Sequence, residues 1–486
     1  MKGANSITSS IFYKSLERYS TMAFQVIVQI VIARILTPSD FGIVAMMAVF
    51  INVAGIFIYN GFNMAVIQKK EADDKDFSTA LIVNILIGLV LYSIIYVCSP
   101  AISSYYAEPD LETSLRVLAL ILPLGSVFSI QSAIASRFMH YDILFFCNLT
   151  GSVVSGVLGV SAALAGMGYW ALIVQQISNI VIATLLLLLK SRWKPQFVFV
   201  WQSAKEMFHF GWKLLAAGLI NSIYNELNSL VIGKKYTSAD LAFYTKGKTF
   251  PSTISSGLDS ALQSVMLSAF SRKQEDLNKL NALMKKAMLS NTYIITPIMV
   301  LLAICSEPLT VILLTEKWLP MVPYMQICCF TFALHPISTI NMQALAAIGK
   351  SDVRLKLEFI KKPVGLLLLI LSMSYGPIAI ALSAALTSVI GFTIGLVACQ
   401  MYLKYPVRNI FIDVMPSFLL SLFVGIGTYP IIYLNLHPAL TLITQSFSFV
   451  IFYLMFSRII NIKGYLIVCE QIVLILKNRK NENTNY

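Results

Sequence analysis

Apolar stretches near twenty residues long alternate with short polar turns from one end of the chain to the other. Each stretch is long enough to cross a hydrocarbon layer about 30 Å thick as a helix. The pattern predicts fourteen spans, over 14–36, 40–66, 79–104, 114–136, 143–165, 168–189, 206–232, 239–268, 284–306, 322–348, 354–375, 377–402, 410–434 and 438–460. The turns between them carry helix-breaking residues, as in Thr37-Pro38-Ser39-Asp40, Glu108-Pro109-Asp110, Gly166-Met167-Gly168, Tyr375-Gly376-Pro377 and Leu436-His437-Pro438. Met1–Tyr13 is polar and the first apolar run continues into a full span, which reads as a span rather than a cleavable signal. A tail, Lys463–Lys480, reads as a short amphipathic helix lying on the membrane surface.

Composition supports the same class. Hydrophobic residues make up 57% of the 486 and charged residues 12%, against roughly 45–50% and about 25% in soluble domains. Seven cysteines form no CxxC pair and only four histidines are present, so neither a disulfide framework nor a metal site is expected. No GxSxG, P-loop or HExxH pattern occurs. The reading is therefore of a protein that is not an enzyme, with no catalytic residues, no cofactor and no ATP hydrolysis.

The net charge of +13 invites a nucleic-acid reading, but its distribution excludes one. With a cytoplasmic N-terminus, 28 of the 36 Lys and Arg fall in inside segments and four in outside turns (Arg34, Lys234, Lys235, Lys317). Four more, Arg116, Lys213, Lys246 and Lys248, fall within spans. That alternation follows the positive-inside rule and predicts both termini in the cytoplasm.

Thr37-Pro38-Ser39-Asp40-Phe41-Gly42 recurs as Thr237-Ser238-Ala239-Asp240-Leu241-Ala242, and Gly168-Tyr169-Trp170-Ala171-Leu172 as Gly376-Pro377-Ile378-Ala379-Ile380. Two weak matches in one order, at offsets of 200 and 208, suggest an internal repeat of six spans. Six is even, so both copies insert the same way, as parallel lobes enclosing a cleft. The expected fold is an all-α polytopic membrane protein of about 14 transmembrane helices, two parallel six-helix lobes plus two extra C-terminal helices. Its parts are 1–190, a linker 191–205, 206–405, the extra pair 406–462 and the tail 463–486.

The stretch Ala33–Gly42 resembles the first-turn signature of bacterial polysaccharide flippases of the O-antigen and capsule type, in the multidrug/oligosaccharidyl-lipid/polysaccharide exporter superfamily. Ala65-Val66-Ile67-Gln68-Lys69-Lys70 with Thr79, Gly168–Leu172, Asn228–Gly233 and Tyr244-Thr245-Lys246 are similar to the same branch. Asn228 departs from it, standing where the resemblance implies an aspartate, with Glu226 two residues earlier. The resemblance runs from about Arg18 to about Tyr405. It implies an undecaprenyl-pyrophosphate-linked oligosaccharide as cargo, in the bacterial inner membrane, with polysaccharide biosynthesis proteins as partners.

An ionisable side chain within a span costs at least ~2.5–3.5 kcal/mol on insertion scales, so each needs a partner, a wet cavity or a route to the interface. Glu226 lies seven residues before Gly233 and Lys246 six after Asp240, which puts both about 9–10 Å below the outer turn. They form either a structural ion pair or a phosphate contact steadied by an acid; Lys248 shares the second reading. Lys213 and Arg18 either line the cleft or snorkel to the headgroups. Asp259 is the candidate for a proton or sodium site, with Glu226 as a second. Lys361-Lys362-Pro363 reads as the cytoplasmic end of the eleventh span, and adjacent lysines about 100° apart allow at most one to face a cleft. Among uncharged polar residues, Gln25, Gln29, Asn52, Asn63, Asn84, Gln131, Gln175, Gln176 and Asn179 are either interhelical hydrogen-bonders or the lining of a hydrated passage.

The function expected is flipping of the lipid-linked oligosaccharide by alternating access, with sodium or proton coupling and the membrane lipids around it. Three alternatives stand beside it: an ion-coupled drug/cation antiporter, a flippase for the peptidoglycan precursor, and an integral membrane polysaccharide polymerase or ligase. The last would need an extended outer loop, and the longest outer segment, around Ser306–Met321, is short.

Overall fold

The computed structural model describes residues 2–483 except Lys70, Arg192 and Asn435, with side chains described except at 2–12, 15, 258–265, 351, 354, 472 and 475–483. Every apolar segment predicted above is helical, and no strand forms among the described residues. The chain folds as two compact units, residues 1–242 and 243–486.

The first unit contains α1 (Lys2–Ile35), α2 (Pro38–Tyr59), α3 (Phe62–Gln68), α4 (Asp74–Tyr106), α5 (Asp110–Leu118), α6 (Ile121–Arg137), α7 (Tyr141–Leu164), α8 (Trp170–Lys190) and α9 (Trp201–Lys235). α10 (Ser238–Ser271) begins in it and continues into the second unit. There follow α11 (Leu277–Ile304), α12 (Ser306–Leu314), α13 (Val322–Ala333), α14 (His335–Ala347), α15 (Ser351–Ser372), α16 (Pro377–Leu403), α17 (Val407–Thr428), α18 (Pro438–Ile459) and α19 (Lys463–Asn483). Three predicted spans are interrupted within their length: α2/α3 at Asn60-Gly61, α5/α6 at Ala119-Leu120 and α13/α14 at Leu334.

Nine helices among the described residues are long and apolar enough to cross a membrane. Their outward side chains fit lipid rather than water. Val97, Leu189 and Ile426 are 76%, 75% and 73% exposed, part of an apolar surface far larger than a soluble monomer shows. This is a multi-span membrane protein.

Small and amide side chains bring the helices of the first unit together. On α7, Gly156 meets Phe24 and Val28 of α1, and Gly159 meets Gln175 of α8. Gln29 donates to Gln175 at 3.2 Å, and Asn179 donates to Ser155 at 3.2 Å. α9 lies against α2, α3 and α4. A Cβ on Gly211 would stand 2.9 Å from the Gly61 carbonyl oxygen, so only glycine allows α9 to approach the α2/α3 break this closely.

The repeated turns have the same geometry. The Thr37 hydroxyl donates to Asp40 at 2.6 Å and the Thr237 hydroxyl to Asp240 at 2.7 Å. In each turn the aspartate also accepts from the threonine backbone N–H, at 2.9 and 3.1 Å, closing a capping box. The two turns also touch. Ser39 and Ser238 hydroxyls are 2.7 Å apart, and a Cβ on Gly42 would overlap the Ser238 carbonyl. Both turns therefore stand at one end of the unit.

At the α3–α4 turn the Ala65–Lys70 stretch and Thr79 acquire a physical role. Lys69 pairs with Asp76 at 2.8 Å and with Glu206 of α9 at 3.3 Å, while Ser203 donates to Asp76. Burial pulls the Lys69 ammonium down, but its hydrogen bonds to Asp76 and Glu206 outweigh this and hold it above the ordinary lysine value. Thr79 accepts the Val200 N–H at 3.0 Å and Ser78 accepts that of Gln196 at 3.3 Å, tying the 191–200 segment to α4.

The core of the second unit gathers Phe270, Leu280, Met284, Ile340, Leu396 and Leu403. Asp413 of α17, its side chain 5% exposed, accepts from Lys285 of α11 at 2.8 Å and from Tyr405 at 2.9 Å. Lys463, at the start of α19, stands 3.8 Å away.

Candidate functional site: a polar cavity on α2 and α9

α2 and α9 face each other through two stripes with helical spacing. One is Asn52, Gly55, Ile56 and Tyr59; the other is Gly218, Asn221, Ser222 and Asn225. Between them opens a cavity of about 570 Å³, closed elsewhere by Ile121 and Leu122 of α6 and by Gln176 of α8. The bare Gly218 admits the Asn60 amide at the α2 break; a Cβ there would lie 2.7 Å from its nitrogen. Glu226 completes the lining, accepting from Asn52 Nδ2 at 3.0 Å.

Apart from Glu226, the polar lining of this cavity is uncharged and amide-rich. Asn52, Asn60, Gln176, Asn221 and Asn225 each offer donors and an acceptor, the complement of sugar hydroxyls. Glu226 is the one carboxylate among them.

Helical direction divides the amides noted in the sequence. Gln175 turns into the α7–α8 packing while Gln176 lines the cavity. Asn63 donates to Ser129 at 2.8 Å and Asn84 to the Ser126 carbonyl at 3.0 Å, so both join helices.

Of the five charged candidates whose side chains are described, Glu226 alone lines this cavity. Arg18 on α1 and Lys213 on α9 are exposed and do not line it. Lys246 and Lys248 are half-buried on α10. Between them Gly247 presses on α13, where a Cβ would lie 2.8 Å from Tyr324 and 3.0 Å from the Met321 carbonyl, so the two lysines flank that contact. Lys248 has no hydrogen-bond or ion-pair partner among the described residues. The Asp259 side chain lies outside the described residues. Asn228, about 200° round α9 from Glu226, does not line the cavity.

Asn221, Ser222 and Asn225 were missed by weighing charges alone. Their spacing from Gly218 was a readable signal. Asn60 could be found only from the helix break.

A second cavity, of about 370 Å³, lies between α11, α13 and α17 and is almost wholly apolar. Val300, Ile304, Phe330, Phe418, Leu422 and Ile426 line it, with Gln326 and Tyr429 its main polar groups.

A family profile described as polysaccharide biosynthesis protein matches residues 31–323, more than half of the chain and all of α2 to α9. The chain belongs to the polysaccharide biosynthesis protein family. Within that family it is similar to the teichuronic acid biosynthesis protein TuaB of Bacillus subtilis (strain 168), 23% identical over 384 residues, 77% of this chain and 78% of TuaB. It is also similar to the lipopolysaccharide biosynthesis protein WzxC of Escherichia coli (strain K12), 23% identical over 387 residues, 76% of this chain and 74% of WzxC. Among solved structures, the lipid II flippase MurJ in an inward closed conformation superposes with a TM-score of 0.72, covering 93% of this chain and 99% of that one at 16% identity. An inward-facing multidrug resistance MATE transporter superposes with a TM-score of 0.60 over 80% of this chain and 98% of that one, at 14% identity. These likenesses establish an all-helical membrane-transporter fold.

Proposed function

We propose that this chain flips an undecaprenyl-pyrophosphate-linked oligosaccharide across the bacterial inner membrane, for surface polysaccharide biosynthesis, without any covalent step. The observation that carries the reading is the cavity of about 570 Å³ lined by amides in a chain otherwise built for lipid. A charged, hydroxylated headgroup would lose its water in bare hydrocarbon, a loss the membrane interior punishes severely. Amides that replace water one for one remove much of that barrier while the prenyl chain stays in lipid. The polysaccharide relatives and the MurJ-like fold support the same cargo class.

In this reading the fourteen helices form two six-helix lobes, 1–190 and 206–405, joined by 191–205 and followed by the pair 406–462 and the tail 463–486. Both termini are cytoplasmic, and the lobes rock about a cleft. Lys246, Lys248, Lys213 and Arg18 supply cationic contacts to the pyrophosphate, and Asp259 and Glu226 couple a proton or sodium ion. Glu226 is also what an ion-coupled drug/cation antiporter would use, because a carboxylate in a neutral cavity attracts cations. Deleting the gene separates the readings. A flippase deletion accumulates lipid-linked oligosaccharide on the cytoplasmic leaflet, restored by the wild-type gene and poorly by Asn225→Leu with Glu226→Gln. Unchanged lipid-linked intermediates with altered drug tolerance would overturn the flippase.

A further inference from the structure

α15 runs unbroken from Ser351 to Ser372, so the helix continues on both sides of Lys361-Lys362-Pro363. Lys361 lies ten residues in, about 15 Å along the helix axis. Lys362 pairs with Glu358 at 3.9 Å. Lys361 turns another way, its stem lying across Gly391 of α16. A Cβ there would be 2.8 Å from Lys361 Cδ and 2.9 Å from Cε. The missing side chain is the channel through which the lysine reaches the space beyond.

That space is a polar cavity of about 220 Å³ at the break between α13 and α14. One stripe of α14 lines it at helical spacing: His335, Ser338, Thr339, Met342 and Gln343. Lys361 and Glu358 line it from α15, and Ser388 from α16. The side chains of Lys361, Ser338, Thr339 and Gln343 have no hydrogen-bond or ion-pair partner among the described residues, and all four residues are half-buried. Glu358 is turned partly to Lys362, and the three charged residues Glu358, Lys361 and Lys362 sum to one positive charge. A half-buried lysine normally has a partner. Here the protein offers it three uncharged hydrogen-bonding side chains and an opening.

We propose that Lys361, Ser338, Thr339 and Gln343 bind an oxyanion of the substrate within the second unit. This rests on the flippase reading and places the anion contact at a residue apart from Lys246 and Lys248. Two sources share the chemistry, the linking pyrophosphate and the carboxylate of an acidic sugar. A compact ammonium with hydroxyls beside it fits either, as a point charge completed by neutral donors.

Binding to the purified full-length protein in detergent is measured with geranylgeranyl pyrophosphate and, separately, with D-glucuronate as competitor. Lys361→Gln weakens the affected probe by roughly tenfold or more, the size of one charge-assisted hydrogen bond. Lys361→Arg keeps part of the affinity, and the exposed control Lys356→Gln binds as wild type. Loss for the pyrophosphate assigns the site to the linkage; loss of glucuronate competition alone assigns it to the sugar. If Lys361→Gln does not fold, Gly391→Leu carries the test, because it displaces the lysine stem without removing charge and weakens binding as well. Wild-type binding with Lys361→Gln or Gly391→Leu equal to wild type overturns this site alone. Failure of the wild-type protein to bind any polyprenyl pyrophosphate overturns the flippase reading and the site with it.

Discussion

Substituting Asp413 by Ala removes the acceptor that joins α11, α17 and α19. The carboxylate is 5% exposed and takes Lys285 at 2.8 Å and Tyr405 at 2.9 Å, whereas Lys463 is 3.8 Å away and 64% exposed. Removing one member of a buried pair costs about 3–5 kcal/mol. Lys285 is 38% exposed and can turn to water, which lowers the expectation to about 2–3 kcal/mol. Lys463, as a surface partner, contributes under about 1 kcal/mol. The order of destabilisation is therefore Asp413→Ala first, Lys285→Ala second and Lys463→Ala least. Thermal unfolding of the detergent-purified variants, followed by tryptophan fluorescence, reads the order directly. At about 1.4 kcal/mol per tenfold, the first loss exceeds tenfold in the folding equilibrium. Asp413→Ala melting with wild type, or Lys463→Ala falling as far as Asp413→Ala, would refute the reasoning.

Gly211→Leu drives a side chain into the Gly61 carbonyl and should abolish monodisperse protein on size exclusion. Gly427→Ala, with nothing within 4 Å, should be neutral or stabilising by up to ~1 kcal/mol. Lys69→Met should release the Asp76–Glu206 clasp with the same loss of melting temperature at about pH 6 and about pH 9. A lysine held above its ordinary value contributes fully below that value and loses its contribution only as pH rises through the raised one. A C-terminal fluorescent-protein fusion should be bright and a phosphatase fusion inactive; the reverse would place the C-terminus outside.

Much of the fold was legible because lipid imposes one rule on every span. A twenty-residue apolar run announces a helix whatever its neighbours are. The Thr37–Gly42 repeat was legible for a related reason, since a capping box is a local structure written in four residues. What local rules could not supply was which faces meet. Asn60 and Gly218 are neighbours only because α9 settles on α2, and no spacing within either helix says so. Gln175 and Gln176 look equivalent in the sequence, yet one joins helices and the other lines the cavity. Weighing ionisable residues alone passed over the uncharged Asn221 and Asn225, which line the cavity. Asp413 was missed because its charged partners come from two other helices, far away along the chain in each direction.

The most direct test of the flippase is translocation itself. The purified protein is reconstituted into liposomes with a polyprenyl-pyrophosphate-linked oligosaccharide carrying a fluorophore on its sugar, and dithionite quenches whatever faces outward. Vesicles containing the wild-type chain should lose nearly all fluorescence as the inner pool reaches the outer leaflet, and Asn225→Leu with Glu226→Gln should slow that loss. Vesicles that retain the inner half of the signal, as protein-free vesicles do, would contradict the account.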